Sequence, residues 1–243
     1  MPLTSHPGIL YGIGVGPGDP ELVTLKAARL LRELPIIAVP VPRPNGESYA
    51  LNVVRALLSP EQHLLKLHFP MDGEATQRTM ARKAAAQVIA DELRSGRSAA
   101  FLTEGDPLLY STFGHLLRYL PPDLHVQAVP GVSAVTAAAA DALLPLAQGE
   151  QRVAILPANL GQIAELRAAL SSFDTVVLLK VAPVLHPLLD LLESLGLISS
   201  AYLVERASHP NGRIVRDLRS LRGLPVHYLS LLVVNARSDG HED

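Results

Sequence analysis

The chain has 243 residues, of which 48% are hydrophobic and 18% are charged, and its formal net charge is −2. It is long and apolar enough for a sizeable core, and its composition excludes a disordered protein. Because it contains no cysteine, it has neither a disulfide framework nor a thiolate metal site. Scarce aromatic residues, without any tryptophan, and the absence of excess positive charge disfavour nucleic-acid binding.

Nothing in the sequence predicts export or membrane insertion. The N-terminal residues lack a basic region followed by a long apolar stretch, as a signal peptide would have. The longest stretch without Asp, Glu, Lys or Arg is 124–140, and it contains Pro130 and Gly131, which makes it a poor membrane span. We therefore expect a cytoplasmic protein.

Short apolar runs alternate with segments of helical spacing along the chain. Strands are predicted at 9–15, 35–41, 98–103, 125–129, 152–156, 175–181, 201–205 and 227–235. Helices are predicted at 20–34, 48–58, 74–95, 110–120, 133–140, 160–170 and 184–195. This alternation is typical of an α/β protein with substantial parallel sheet.

Two adjacent prolines, Pro121 and Pro122, follow the fourth strand–helix unit. Neither continues a helix, and each pushes the residue before it toward extended backbone. The pattern predicts a boundary between domains at 1–121 and 122–243. An ordinary loop within one domain is the alternative.

A glycine-rich turn, GIGVGPGDPE, runs from Gly12 to Glu21 after the first predicted strand. Such turns let the backbone approach a ligand closely, as in dinucleotide sites. Pro17 removes a backbone donor from the turn, however, and the next strand ends without the acidic residue that would bind a ribose. A dinucleotide site is therefore disfavoured. Asp19 is interpreted as a helix N-cap with Pro20 at the first helical position.

Two further turns follow predicted strands. The second is TEGDPLLY at 103–110, and the third is VPGVSA at 129–134. Ligands of open α/β sheets bind outside the carboxyl ends of the strands, so both turns are candidate binding sites. A purely structural capping role is the alternative for Asp106 and for Ser133.

The three turns, in this order, resemble those of the tetrapyrrole (corrin/porphyrin) methylases, which depend on S-adenosylmethionine. The segments that carry the resemblance are VGPGDPELVTLKA at 15–27, EGDPLLYST at 104–112 and VPGVSA at 129–134. The resemblance covers nearly the whole chain. Within the family, these segments and Leu179-Lys180-Val181 are most similar to the branch that methylates precorrin-2 at C20, and the branch that acts on cobalt-factor II is nearly as similar.

The resemblance implies two α/β domains with the cofactor in the cleft between them. The domain at 1–121 would carry the glycine-rich turn and a trough for the tetrapyrrole, and the domain at 122–243 would complete the cofactor site. A homodimer is also implied. Matching the family motifs assigns to the cofactor site Pro17, Glu104, Gly105, Asp106, Leu109, Ser133, Ala134, Lys180, Val181 and Ala207.

The implied reaction is methyl transfer to the C20 carbon of the tetrapyrrole, followed by loss of the C20 proton. Alignment matters most, because the sulfonium is already an activated leaving group. A base would assist the proton loss, and Asp106, Glu104 and Tyr110 are the candidates.

Substrate carboxylates require nearby cations or other hydrogen-bond donors. Arg206 and His209, which follow a predicted strand, are the candidates, and the resemblance adds Gly16. None of the nine histidines falls in a metal-ligand spacing, so no catalytic metal is expected.

Two other functions are compatible with the sequence. The first keeps the fold and the cofactor but methylates another precorrin position or another acceptor. The second is a nucleotide-sensing module without chemistry, for which the Glu104-Gly105-Asp106 turn would have no purpose.

Overall fold

The computed structural model describes residues 7–43, 46–70, 74–159, 161 and 163–236. It confirms the α/β class, with two five-stranded sheets. Contacts within the chain separate two compact units, 1–133 and 134–243. The boundary predicted at Pro121 lies before the last strand of the first sheet, whereas the units divide after it, because that strand pairs with the first strand of the chain.

The first sheet is wholly parallel. Its strands are β1 (Ile9–Gly14), β2 (Ile36–Val41), β3 (His63–His68), β4 (Ala99–Thr103) and β5 (His125–Val129), in the order β3-β2-β4-β1-β5. Gly14 pairs with Thr103 and Ile13 with Val129. Because the carboxyl ends of parallel strands meet at one edge, the turns after β1, β4 and β5 lie side by side there. We call this the first edge.

Helices cover both faces of the first sheet. They are α1 (Leu25–Glu33), α2 (Tyr49–Val54), α3 (Ala75–Arg94) and α4 (Thr112–Leu116), with single 3-10 turns at Pro20–Leu22, Arg55–Leu57 and Leu117–Tyr119. Phe101 packs with α3 residues on one face, whereas Leu102 packs with α1 and α2 residues on the other. These alternating faces explain why β4 is entirely buried.

The helix predicted at 20–34 is divided into two pieces. Asp19 is the N-cap predicted, and it accepts a hydrogen bond from the Glu21 N–H at 2.8 Å. Thr24 then caps a second start by accepting from the Ala27 N–H at 3.2 Å, and α1 begins only at Leu25.

The second sheet is mixed. Its strands are β6 (Val153–Pro157), β7 (Thr175–Leu179), β8 (Ala201–Glu205), β9 (Arg213–Val215) and β10 (Ser230–Asn235), in the order β6-β7-β10-β8-β9. β10 is antiparallel to both β7 and β8. The carboxyl ends of β7 and β8 therefore share an edge with the start of β10, and we call this the second edge.

Three α-helices lie in the described part of the second unit. They are α5 (Ala134–Ala142), α6 (Ile163–Ser172) and α7 (Leu185–Ser194), with 3-10 turns at Ala182–Val184, Ile198–Ser200 and Leu218–Leu221. The core contains side chains of α7 and of the central strands, including Leu189, Leu203 and Leu232. Among the described residues, no helix combines the length and apolarity needed to cross a membrane.

Candidate functional site

The first two turns are joined backbone to backbone at the first edge. The Gly105 N–H donates to the Gly16 carbonyl at 2.8 Å, and the Val15 N–H donates to the Thr103 carbonyl at 2.9 Å. Gly16 and Gly105 have φ angles of 79° and 64°, which lie in the left-handed region that favours glycine. The glycines therefore allow the chain to fold back closely at the end of β1.

The third turn packs against the other two without room for side chains. A Cβ atom at Gly131 would lie 2.3 Å from the Gly105 carbonyl oxygen and 2.8 Å from the Gly14 Cα. Both neighbours are backbone atoms, which have no flexible end that could move aside. The three turns that carry the family resemblance thus form one continuous backbone surface.

Asp106 connects the second turn to the third. Its Oδ1 accepts from the Leu108 N–H at 2.9 Å, and its Oδ2 accepts from the Gly131 N–H at 3.2 Å. Both carboxylate oxygens are thus engaged by backbone donors. Asp106 therefore makes capping contacts within the second turn and to the third turn.

Glu104 differs from its neighbour Asp106. Its carboxylate makes no hydrogen bond or ion pair with any residue that the structure describes. Desolvation raises the pKa of Glu104 to about 7, although the side chain is exposed by its accessible area. Exposure and a raised pKa are compatible in Glu104. The accessible area measures only the surface that water can touch, whereas the pKa depends on all the protein that surrounds the carboxyl group.

The other predicted residues of the first unit lie around these turns. Pro17 is buried, Leu109 and Ser133 are half-buried, and Ser133 directly precedes α5. Tyr110 is exposed and has a φ of 51°, so the helix predicted at 110–120 begins only after the N-cap Ser111.

The remaining predicted cofactor residues belong to the second unit. Ala134 begins α5. Lys180 and Val181 follow β7, and Ala207 follows β8. Lys180 is exposed, whereas Val181 and Ala207 are buried. Leu231 pairs with Leu179, and Ser230 pairs with Glu205, so Lys180, Val181 and Ala207 all lie at the second edge.

The loop after β8 is strained and firmly held. Arg206 and Ser208 have φ angles of 49° and 56°, which side-chain-bearing residues rarely adopt. Asp141 accepts from the Ser208 N–H at 2.6 Å and from the Ser208 hydroxyl at 3.1 Å. The α5 carboxylate therefore fixes the loop that contains the predicted substrate residues Arg206 and His209.

Glu205 is a buried carboxylate beneath this loop. It accepts from the Arg213 Nε–H and, at 2.5 Å, from the His227 backbone N–H. Burial by itself would raise the pKa of Glu205, but the Arg213 guanidinium and the His227 N–H together hold it below its usual value. Glu205 thus joins β8, β9 and the segment before β10.

Glu205 and His227 were not predicted as site residues. The only signal for them was a histidine at the start of the strand predicted at 227–235, which in the structure begins at Ser230. Among the described residues, no group of three or more His, Asp or Glu side chains is placed to hold a metal ion.

Comparison with known proteins gives curated relatives along most of the chain. Cobalamin biosynthesis protein CobIJ of Mycobacterium tuberculosis is 38% identical over 216 residues, which are 86% of this chain and 42% of that protein. The chain thus spans less than half the length of this relative. Cobalt-precorrin-2 C(20)-methyltransferase of Salmonella typhimurium is 33% identical, covering 94% of this chain and 96% of the enzyme. Precorrin-2 C(20)-methyltransferase of a Sinorhizobium species is 32% identical, covering 96% and 97%.

A solved structure of a methyltransferase has a similar fold over most of its chain. The uroporphyrin-III C-methyl transferase of Thermus thermophilus, complexed with S-adenosylhomocysteine, has a TM-score of 0.69 and 26% identity, covering 94% of this chain and 92% of that one. The family model described as tetrapyrrole (corrin/porphyrin) methylases matches residues 9–221. The chain therefore belongs to the tetrapyrrole (corrin/porphyrin) methylase family.

Proposed function

We propose that the chain is an S-adenosylmethionine-dependent methyltransferase that acts on precorrin-2, or on cobalt-factor II, at C20 during cobalamin biosynthesis. Two relatives that it matches over nearly their whole length bear the names cobalt-precorrin-2 C(20)-methyltransferase and precorrin-2 C(20)-methyltransferase. The observation that carries the proposal is the meeting of the three turns at the first edge, since these turns contain the motifs of the resemblance.

The residues at the first edge fit the cofactor. Gly16, Gly105 and Gly131 carry no side chain that would cover the backbone of the three turns, and such glycines are compatible with close approach of a ligand. Glu104 adds a carboxylate without a described partner, and a cationic ligand would favour its ionised form. When bound, S-adenosylmethionine supplies a methyl group that is activated by a positively charged sulfur.

Pro17, Glu104, Gly105, Asp106, Leu109 and Ser133 are proposed to hold this cofactor within the first unit. In the second unit, Ala134, Lys180, Val181 and Ala207 belong to the same proposal. The buried or backbone-constrained positions among them favour contacts through main-chain groups. Asp106 would act by fixing the second and third turns, because both of its oxygens are occupied.

The substrate carbon C20 would form a bond to the methyl group as the bond between this group and the sulfur breaks, which leaves S-adenosylhomocysteine, and C20 would then lose its proton. The protein has to align this carbon, keep water away and accept the proton. Of the predicted bases, Asp106 already accepts two backbone N–H groups, whereas Glu104 has a pKa near 7 that suits proton transfer at neutral pH. Glu104 is therefore preferred to Asp106, and Tyr110 remains a further candidate.

The proposal also covers the substrate contacts, the cellular location and the oligomeric state. Gly16, Arg206 and His209 would contact the tetrapyrrole. The protein would work in the cytoplasm as a homodimer, as the resemblance implies. Methylation of another precorrin position by the same fold is the second candidate, which the names of the two C20-specific relatives do not favour.

Two measurements test the proposal separately. Calorimetry with purified protein should detect binding of S-adenosylmethionine and competition by S-adenosylhomocysteine. The absence of both would contradict the cofactor assignment.

The acceptor requires its own assay. Incubation with precorrin-2 or cobalt-factor II and a cofactor carrying a ¹³C-labelled methyl group should add one methyl group, which NMR would locate at C20. A methyl group at another ring position would overturn the C20 assignment without affecting the family. The ratio of the rates with the two substrates would decide between metal-free and cobalt-containing substrate.

A further inference from the structure

We infer that Arg206, His209 and His227 form a binding site for a carboxylate group at the second edge. Arg206 and His209 follow β8, and His227 precedes β10. Ser230 pairs with Glu205, so the antiparallel register brings the two segments together. The site extends the predicted pair Arg206 and His209 by a third group, and its chemistry follows from how each side chain is held.

Both imidazoles are fixed in the same tautomer. The Asn211 N–H donates to His209 Nδ1 at 3.0 Å, and the Leu229 N–H donates to His227 Nδ1 at 3.0 Å. A nitrogen that accepts a hydrogen bond carries no proton, so in each neutral ring the proton is on Nε2. Each histidine therefore has an Nε2–H donor on the side of the ring away from the backbone contact.

Arg206 supplies the permanent positive charge. Its Nε is buried and has no hydrogen-bond partner among the described residues. A buried N–H without an acceptor is costly, more so on a charged group. The strained backbone of Arg206 is held in place by its N–H, which donates to the Leu229 carbonyl at 2.7 Å. The unpartnered buried Nε–H indicates that a ligand supplies the missing acceptor.

The acidic groups described around this loop are already engaged. Glu205 accepts from Arg213 and from the His227 N–H, and Asp141 accepts twice from Ser208. Neither is left to neutralise Arg206. An incoming carboxylate would accept from the Arg206 guanidinium and from the His227 Nε2–H, and hydrogen bonds of this charge-assisted kind are stronger than neutral ones.

The pKa of His227 depends on the charged groups around the proposed carboxylate site. Desolvation lowers the pKa of His227, and the positive charge of Arg206 and that of His209 lower it further, while Glu205 acts in the opposite direction. A bound anion would reverse the effect of the two cations. Binding of a carboxylate should therefore raise the pKa of His227.

Under the proposed function, two molecules can supply the carboxylate group. They are the tetrapyrrole, which carries several, and the cofactor, which carries one in its methionine part. The identity of the ligand rests on that function, whereas the existence of the site does not. Uroporphyrin III, a stable tetrapyrrole carboxylate, and S-adenosylhomocysteine can serve as the two probes.

The test uses the full-length protein labelled with ¹⁵N-histidine. NMR would follow the ring nitrogens of His209 and His227 across a pH titration, with each probe and without it. We expect one of the probes to raise the pKa of His227, and the probe that does so identifies the source of the carboxylate. Unchanged titrations of both histidines with both probes would overturn the site.

Two variants remove donors while keeping the backbone contacts. His227→Asn retains an acceptor near the Nδ1 position for the Leu229 N–H but removes the Nε2–H donor, and Arg206→Gln removes the charge. Each should weaken binding of the active probe about tenfold, as expected for one charge-assisted hydrogen bond. Arg167→Gln is the matched control, because Arg167 is exposed on α6 and its side chain donates only to Ser194 Oγ, at 3.4 Å, among the described hydrogen bonds.

The outcomes separate the site from the proposed function. Folded Arg206→Gln and His227→Asn proteins that bind like the Arg167→Gln control would overturn the site, even if C20 methylation is normal. A protein that responds at His227 but adds no methyl group to either tetrapyrrole would retain the site and lose the proposed function.

Discussion

The first and second edges both collect turns at the ends of strands, but they are built from different material. At the first edge, glycine backbones pack against one another, and Gly105 donates directly to Gly16. At the second edge, the residues in left-handed backbone carry side chains, and two carboxylates bind the surrounding segments. The exposed Asp141 accepts from the Ser208 N–H, and the buried Glu205 accepts from the His227 N–H. The first arrangement depends on the absence of Cβ atoms, and the second depends on charge.

This difference follows from strand direction. In the wholly parallel first sheet, every turn at the edge leaves a strand, and short glycine turns suffice to lead each one into a helix. In the second sheet, β10 arrives at the edge at which β7 and β8 end. The incoming segment brings His227 and its backbone donors beside Glu205. An antiparallel strand thus adds polar groups that a parallel sheet would place at its far end.

Gly131→Ala should cause the largest loss, because its Cβ would lie 2.3 Å from the Gly105 carbonyl oxygen. We expect the free energy of unfolding to fall by about 3 kcal/mol, as for overpacking against backbone. Urea denaturation would measure it. Gly114→Ala in α4 is the control, since its Cβ would meet only Ser111 Oγ, at 3.5 Å, and it should be neutral or slightly stabilising. Equal effects would show that the first edge does not depend on bare backbone.

Glu205→Gln should disrupt the second edge by removing the charge that binds Arg213. We expect a loss of about 2 kcal/mol at pH 7. The pKa of Glu205 is lowered in the folded protein, so its contribution is complete above the unfolded value and disappears as the pH falls through the folded value. The difference between wild type and variant should therefore shrink below about pH 4.3.

Glu193→Gln is the control for Glu205, because Glu193 pairs with Arg219 and Arg222 on an exposed surface. Its effect should be below about 1 kcal/mol. Denaturation curves recorded from pH 3 to pH 8 would compare the two variants. A Glu205→Gln difference that stays constant over this range would contradict the role assigned to the charge.

Asp106→Ala tests the side chain that connects two turns at the otherwise backbone-built first edge. Removing both of its acceptor oxygens should cost about 1.5 kcal/mol, within the range for lost caps. Asp19→Ala, which removes one bond to the Glu21 N–H, should cost about half as much in the same urea experiment. If Asp106→Ala costs no more than Asp19→Ala, the bond to Gly131 contributes nothing.

Glu104→Gln should have the smallest effect and the opposite sign. Because desolvation raises the pKa of Glu104 to about 7, folding favours the protonated carboxyl, and wild-type stability decreases between about pH 4.3 and pH 7. The variant should match wild type in acid and exceed it by about 1 kcal/mol above pH 7, a value reduced for the exposure of the side chain. A wild-type protein that equals the variant at pH 8 would contradict the raised pKa.

The sequence predicted the α/β class and several strands closely, β5 and β8 to the residue. It did not predict β3, because the run HLLKLH lacks alternation and only Leu67 in it is buried. As an edge strand, β3 has a neighbouring strand on one side only, so fewer of its side chains are surrounded by protein. β9 was also missed, since its three residues are too few to give a periodic pattern.

The convergence of the three turns was predictable, because each follows a strand of one parallel sheet. The association of His227 with Glu205 was not, since it depends on the direction and register of β10. The sequence also did not predict that Asp106 is bound by backbone N–H groups whereas Glu104 has a raised pKa, because both properties depend on the fold. Their neighbouring positions in the sequence contain no information on which carboxylate meets the Gly131 N–H.

The position of β1 between β4 and β5 has a consequence for biosynthesis of the protein. β1 leaves the ribosome before both of its partners, which begin at residue 99 and end at residue 129. At ~5–20 residues per second, both hydrogen-bonding sides of this apolar strand stay unpaired for roughly 5 to 20 s. During translation, β1 therefore waits for both of its neighbouring strands, and slowing synthesis before residue 99 should increase aggregation of the nascent chain.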